Sequence, residues 1–123
     1  MAETPGRRVL IVEDEAMVSL LLEDMLEELG HVVVGIGSRL DSALDLARDC
    51  ACDVAVLDVN LGGKASRPVA HVLKSRGVPF IVASGYGDSG LDEDYRGAPL
   101  LKKPFQLEQL SEAICLAIGS DRS

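Results

Sequence analysis

The sequence alternates between short apolar runs and longer stretches in which apolar residues recur every three or four positions. A short apolar run bounded by turn residues is typical of a buried strand, and the longer spacing is typical of a helix with one buried face. The predicted strands are residues 9–12, 32–36, 54–57, 80–83 and 100–102. The predicted helices are residues 16–29, a helix that Ser38 would cap, residues 68–74 and residues 106–118.

In the first helix, Met17, Leu21, Met25 and Leu29 recur at helical spacing. Three further apolar residues widen this stripe, which we expect to belong to the core: Val18, Leu22 and Leu26. Between residues 85 and 99 the chain carries four glycines, which disfavour a helix, so we expect at most a short helix near residues 91–95. We predict that this Gly-rich segment is mobile and acts as a switch, and its two tyrosines, Tyr86 and Tyr95, are candidate surface anchors.

Strands and helices in this order predict an α/β fold, a doubly wound, five-stranded parallel sheet with helices on both faces. In the flavodoxin-like strand order 2-1-3-4-5, the direction in which strands are added reverses between the first and third strands. Ligands bind at the carboxyl ends of the strands beside this switch point. We expect a single domain over residues 1–123, with an ordered core at about residues 7–118.

Composition excludes several functional classes. The net charge of −8 argues against direct binding to nucleic acid or to anionic lipid. No apolar run approaches the roughly 18 residues that a membrane span needs. The chain has three cysteines, which do not suggest a disulfide framework, so we expect a reduced, cytoplasmic setting.

Carboxylates follow two of the predicted strands. Glu13 and Asp14 follow the first strand, and Asp58 follows the third. Such a group can bind a hard cation such as Mg²⁺ and leave one carboxylate as a nucleophile towards a phosphoryl group. We predict an irregular loop at residues 59–63, in which the backbone carbonyl of Asn60 can complete the metal sphere.

Two further residues end the fourth and fifth strands at the same edge of the predicted sheet. Ser84 offers a hydroxyl donor, and Lys103 offers a compact positive charge where phosphoryl oxygens would collect negative charge. Taken singly, each of these residues could be an ordinary turn or surface residue, and Glu13 and Asp14 could simply begin a helix. Their joint occurrence at the ends of four strands favours a functional site.

This ordered set resembles the signature of two-component response regulator receiver domains, over essentially residues 7–118. The residues that carry the resemblance are Glu13, Asp14, Asp58, Ser84, Lys103, Pro104 and Phe105. It implies that Asp58 is the phosphoacceptor, with Glu13, Asp14, Asp58 and the Asn60 carbonyl as Mg²⁺ ligands. It also implies that Ser84 and Lys103 contact the phosphoryl group and that the peptide bond between Lys103 and Pro104 is cis.

Departures from the usual pattern point to a subgroup. The aromatic switch residue of most receivers is replaced by Leu100, and Leu61-Gly62 stands where a Met-Pro pair is common. Residues 79–87, which include Tyr86, resemble the stretch of the receivers nicknamed FAT GUY, whose partners are typically histidine kinases of the HWE type or related ones. Tyr86, Leu100 and Pro104 are therefore candidate switch or partner-surface residues.

The resemblance implies a signalling domain that takes a phosphoryl group from a histidine kinase or a phosphotransfer protein and catalyses only its own phosphorylation and dephosphorylation. The chain ends soon after the last helix, so we expect no output domain; the sequence specifies no oligomeric state. One alternative is a haloacid-dehalogenase-type aspartyl-phosphate hydrolase, which normally has a second acid where Asn60 stands. The other is a degenerate receiver that acts only as a binding module.

Overall fold

The computed structural model describes residues 6–85, 95 and 97–119. Within them, strands and helices alternate as the apolar pattern predicts. The strands are β1 (Arg8–Val12), β2 (Val32–Gly37), β3 (Val54–Asp58), β4 (Asn60–Leu61), β5 (Lys64–Ala65), β6 (Phe80–Ser84) and β7 (Leu100–Lys102). The helices are α1 (Ala16–Glu28), α2 (Leu40–Asp49), α3 (Arg67–Ser75) and α4 (Leu107–Gly119).

Five parallel strands form the main sheet in the order β2-β1-β3-β6-β7. The predicted fourth and fifth strands are β6 and β7, so the predicted order and the predicted fold class are confirmed. From β1, the chain adds β2 on one side and then β3 on the other, so the order of the strands reverses between β1 and β3. These two parallel strands pair in register from Val9 with Val54 to Val12 with Leu57. The carboxyl ends of these two strands therefore meet at one edge of the sheet.

Two apolar layers cover the sheet, because successive side chains of a strand point to opposite faces. One layer packs Val9, Ile11, Val54, Val56 and Ile81 against residues of α1 and α4. The other packs Leu10, Val12, Ala55, Leu57 and Val82 against residues of α2 and α3. The helices therefore lie on both faces of the sheet, as the doubly wound fold requires.

The predicted core stripe of α1 is partly wrong. Leu22 and Leu26 are buried, but Met17 is 79% exposed and Leu21 is 47% exposed. The apolar residues of α1 cover a wider arc than the sheet can contact, so one flank of the helix remains in solvent. Leu20 lies on this flank as well and is 57% exposed.

The start of α2 also differs from the prediction. Arg39, and not Ser38, is the N-cap residue, because its carbonyl accepts the first helical hydrogen bond from the Ala43 N–H at 2.8 Å. The Ser42 hydroxyl accepts a hydrogen bond from the Arg39 N–H at 3.3 Å, so a side chain within the first turn partners that backbone donor.

The segment after Asp58 is a β-hairpin, so the prediction of an irregular loop was wrong. Strands β4 and β5 pair antiparallel around a turn at Gly62 and Gly63, whose φ angles are 59° and 89°. Positive φ at both turn positions is typical of a type I′ turn, which matches the twist of a hairpin and favours glycine. Leu61 is buried and anchors the hairpin on the second apolar layer.

The Gly-rich segment is described only in part. Tyr86 and most of the short helix predicted near residues 91–95 lie outside the described residues. A tyrosine in a Gly-rich segment suggests a surface anchor, but Tyr95 is buried with 3% of its surface exposed, so that interpretation is wrong for this residue. None of the helices in the described part of the chain is long and apolar enough to cross a membrane.

Candidate functional site

The site lies where β1 and β3 end. Glu13 and Asp14 directly follow β1, and the Glu13 N–H donates to the Gly37 carbonyl at 3.0 Å, which ties this turn to the end of β2. Asp58 is the last residue of β3. One carboxylate oxygen from each of the three acids lies within 4.8 Å of the other two. The structure thus brings together the acids that the sequence predicted.

Lys103 reaches this group from the end of β7. Its Nζ atom lies 3.1 Å from Glu13 Oε1 and 3.2 Å from Asp58 Oδ2. Its backbone N–H donates to the Ser84 carbonyl at 2.8 Å, and the peptide bond between Lys103 and Pro104 is cis, as expected. One ammonium group therefore pairs with two of the three acids, and among the described residues this pocket holds more acidic groups than cations.

Glu13 is the most deeply buried of the three acids, with 2% of its surface exposed. Burial, and then the negative charge of Asp58, raise the pKa of Glu13 to about 7 against the opposing effects of Lys103 and the Glu15 N–H. Burial tends to lower the pKa of Lys103, but its hydrogen bond to Glu13 and the charge of Asp58 outweigh burial and raise that pKa. A cation with more charge than one ammonium group would relieve this repulsion.

The donor set fits a hard divalent cation. Carboxylate oxygens are the ligands that Mg²⁺ prefers, and Asp14 is exposed, which leaves room for the waters that this ion keeps. Asp14 Oδ2 accepts a hydrogen bond from the Gly62 N–H at 2.8 Å, so the hairpin turn holds this carboxylate in place. Asn60 lies beside the acids, with its backbone N–H 3.4 Å from Asp58 Oδ1. That the backbone carbonyl of Asn60 is a metal ligand remains a prediction.

Ser84 lies at the edge of the same site. It is buried at the end of β6, where its neighbour Ala83 pairs in register with Asp58 and Ser84 itself pairs with Lys102. Leu100 is half-buried in β7 and Pro104 is exposed, so these two residues form part of the adjacent surface. Tyr86, the third candidate for that surface, lies outside the described residues.

Ser66 also contacts this site, and sequence reasoning missed it. It is fully buried just before α3, and its hydroxyl donates to the backbone carbonyl of Asp58. Its backbone N–H donates to the Val59 carbonyl at 2.9 Å, and its Oγ lies 2.9 Å from the Tyr95 hydroxyl. A serine before Arg67-Pro68 indicates only a helix start, and no local pattern indicates its contact with Asp58.

A doubly wound sheet with acids, a hydroxyl and a lysine at its carboxyl edge defines the general class of this domain. Residues 9–115 match the sequence model of the response regulator receiver domain, and the chain belongs to this family. Receiver domains are signalling modules of two-component systems.

Individual relatives are similar over most of this chain. The transcriptional regulatory protein PdtaR of Mycobacterium tuberculosis is 33% identical over 120 residues, which cover 94% of this chain and 58% of PdtaR. The phyllosphere-induced regulator PhyR of Methylorubrum extorquens is 31% identical, with 100% of this chain and 48% of PhyR covered. The chain thus spans about half the length of these two regulators.

A solved structure matches at nearly full length. The solution structure of SdrG from Sphingomonas melonis Fr1 superposes with a TM-score of 0.80 at 39% sequence identity, and the match covers 96% of this chain and 99% of SdrG. The predicted membership of the receiver family is therefore confirmed by both sequence and fold.

Proposed function

We propose that this receiver domain accepts a phosphoryl group on Asp58 with the help of Mg²⁺, which Glu13, Asp14, Asp58 and the Asn60 carbonyl would hold. The observation that carries the proposal is the meeting of three carboxylates within 4.8 Å, with Lys103 Nζ 3.2 Å from Asp58 Oδ2. When bound, Mg²⁺ would neutralise the acids and a phosphoryl oxygen, which lets one carboxylate act as a nucleophile.

The chemistry follows from the residue types. A carboxylate oxygen of Asp58 attacks the phosphorus of a phosphohistidine, and an O–P bond forms as the N–P bond breaks. The histidine nitrogen keeps the electron pair of the broken bond and takes up a proton. Lys103 compensates the charge of the transferred oxygens, and the Ser84 hydroxyl donates to one of them.

We propose a histidine kinase or a phosphotransfer protein as the donor. Met17, Leu20 and Leu21 form an exposed apolar strip, here called the α1 strip, on the helix that begins just after Glu13 and Asp14. An exposed apolar strip beside a phosphoryl-accepting site suits a protein donor that must bring its histidine to Asp58.

The FAT GUY-like stretch and the non-aromatic Leu100 support a narrower proposal, a donor of the HWE type or a related kinase. Replacing Met17 by Gln in the α1 strip should slow transfer from a kinase and leave labelling by acetyl phosphate unchanged. Glu28→Gln, an exposed change at the far end of α1, is the matched control. Equal rates of kinase transfer to the wild type and to Met17→Gln would remove the α1 strip from the interface.

Acetyl phosphate tests the site without any partner. Intact-mass spectrometry should show the mass of one added phosphoryl group on the wild type only when Mg²⁺ is present. Asp58→Asn should show none, and Asp49→Asn, an exposed acid at the end of α2, should be labelled like the wild type. Full labelling of Asp58→Asn would overturn the assignment, and an unlabelled wild type would favour the degenerate receiver.

A further inference from the structure

Two buried hydroxyls connect distant parts of the chain behind the acidic site. Ser66 precedes α3 and is fully buried, and Tyr95 lies 29 residues later, between β6 and β7, with 3% of its surface exposed. The Tyr95 hydroxyl lies 2.9 Å from Ser66 Oγ and 3.4 Å from the Val59 carbonyl oxygen. Both hydroxyls thus approach the backbone that leaves Asp58.

The direction of the hydrogen bonds follows from the available protons. The Ser66 hydroxyl has one proton and donates it to the backbone carbonyl of Asp58. The Tyr95 hydroxyl is therefore the donor to Ser66 Oγ at 2.9 Å, and the same proton also faces the more distant Val59 carbonyl at 3.4 Å, so the shorter bonds run from Tyr95 through Ser66 to Asp58. Consecutive hydrogen bonds of this kind polarise and strengthen one another in a buried setting.

Both ends of this chain of bonds are anchored. The ring of Tyr95 packs in the apolar layer that also holds Leu61 of the hairpin. The Ser66 N–H donates to the Val59 carbonyl at 2.9 Å, so Ser66 binds the consecutive carbonyls of Asp58 and Val59 at the end of β3. Because both hydroxyls are buried, a bond that breaks here leaves a polar group without water, which makes separation costly.

We propose that Ser66 and Tyr95 are positioning residues that couple the connection between β6 and β7 to the phosphoacceptor Asp58. This inference rests on the proposed function and extends it. Tyr95 lies on the stretch of chain that joins Ser84 to Lys103, which are the two groups proposed to contact the phosphoryl group. The hydroxyl pair links Tyr95 to the backbone of residues 58–59, directly before Asn60, so a displacement at Tyr95 would shift that backbone and the reverse.

The test uses variants that remove one oxygen each. Tyr95→Phe keeps the buried ring, Ser66→Ala keeps the buried Cβ, and the double variant combines them. Ser75→Ala is the matched control, since the Ser75 hydroxyl also donates to a backbone carbonyl, that of His71 at 2.9 Å, at an exposed position. Labelling by acetyl phosphate at saturating Mg²⁺ gives a maximum rate and a half-saturating donor concentration for each variant.

We expect each single variant to lower the maximum rate by about three- to tenfold, as the loss of one buried hydrogen bond allows. The half-saturating donor concentration should stay the same, because neither residue contacts the donor. The double variant should be no slower than the slower single variant, because both residues act through one chain of bonds. Ser75→Ala should match the wild type.

The proposed function and this coupling fail in different ways. A wild type that acetyl phosphate does not label overturns the proposed function, and the coupling with it. A labelled wild type with Tyr95→Phe within twofold of its rate overturns the coupling alone. So does a double variant whose loss is the product of the single losses, or a Ser75→Ala variant as slow as Ser66→Ala. Tyr95→Phe carries the test if Ser66→Ala does not fold.

Discussion

Replacing Glu13 by Gln should stabilise the metal-free protein at pH 8 and change its stability little at pH 5. Burial and the charge of Asp58 raise the pKa of Glu13 from 4.5 to about 7 in the folded protein. A raised pKa means that the folded state binds the proton more tightly than the unfolded state does. Protonation of Glu13 therefore makes its full contribution to the free energy of unfolding below about pH 4.5, and this contribution is lost as the pH rises through about 7.

The pKa change sets the magnitude of the effect. At about 1.4 kcal/mol per pKa unit, a rise from 4.5 to about 7 corresponds to at most about 3.5 kcal/mol. Because the Glu13 carboxyl group of the unfolded chain is still partly protonated at pH 5, we expect a smaller change, about 2 kcal/mol between pH 5 and pH 8. The glutamine side chain of the variant cannot ionise, so the variant's advantage in stability over the wild type should grow by that amount over this range.

Urea unfolding with a metal chelator at pH 5, 6.5 and 8 measures this difference. His31, whose pKa is lowered by burial, is present in both proteins, so any effect of its ionisation cancels in the comparison. Glu27→Gln, an exposed change on α1, is the control and should parallel the wild type. Stability curves for Glu13→Gln and the wild type that run parallel from pH 5 to pH 8 would refute this reasoning.

Three other changes test the site. The double variant Glu13→Gln/Asp14→Asn should lose the Mg²⁺ binding that calorimetric titration measures. A titration curve equal to that of the wild-type protein would refute the metal site. Lys103→Met should destabilise the metal-free protein by about 2–4 kcal/mol in urea, because it leaves buried acids without their cation, while exposed Lys102→Met should not. Gly63→Ala should cost about 1–2 kcal/mol in the same assay, because φ at Gly63 is 89°; no change would contradict the role of the turn.

Strand-end positions made most of the candidate site predictable. Short apolar runs predict parallel strands, and the ends of such strands meet at one edge, so the sequence alone was enough to place Glu13, Asp14, Asp58 and Lys103 together. The strand order and the cis bond before Pro104 agree as well. These features depend on local patterns and on the topology that those patterns select.

Features that depend on tertiary packing could not be predicted in this way. Hydropathy alone places Met17 in the core, but its exposure depends on how much of α1 the sheet can cover. The contact between Ser66 and Tyr95 joins residues that no periodicity relates, and it forms only because the apolar layer buries the tyrosine ring. The hairpin was detectable in principle, because Gly62-Gly63 between extended residues is a hairpin signal.

Phosphotransfer from a radiolabelled histidine kinase tests the central claim most directly. Purified kinases of the HWE type and related types, labelled on their phosphohistidine, are mixed with the wild type, Asp58→Asn or Asp49→Asn, with and without Mg²⁺. We predict that at least one kinase loses its label to the wild type and to Asp49→Asn only with Mg²⁺, and never to Asp58→Asn. Transfer to Asp58→Asn at the wild-type rate, or transfer that is equally fast without Mg²⁺, would contradict the account.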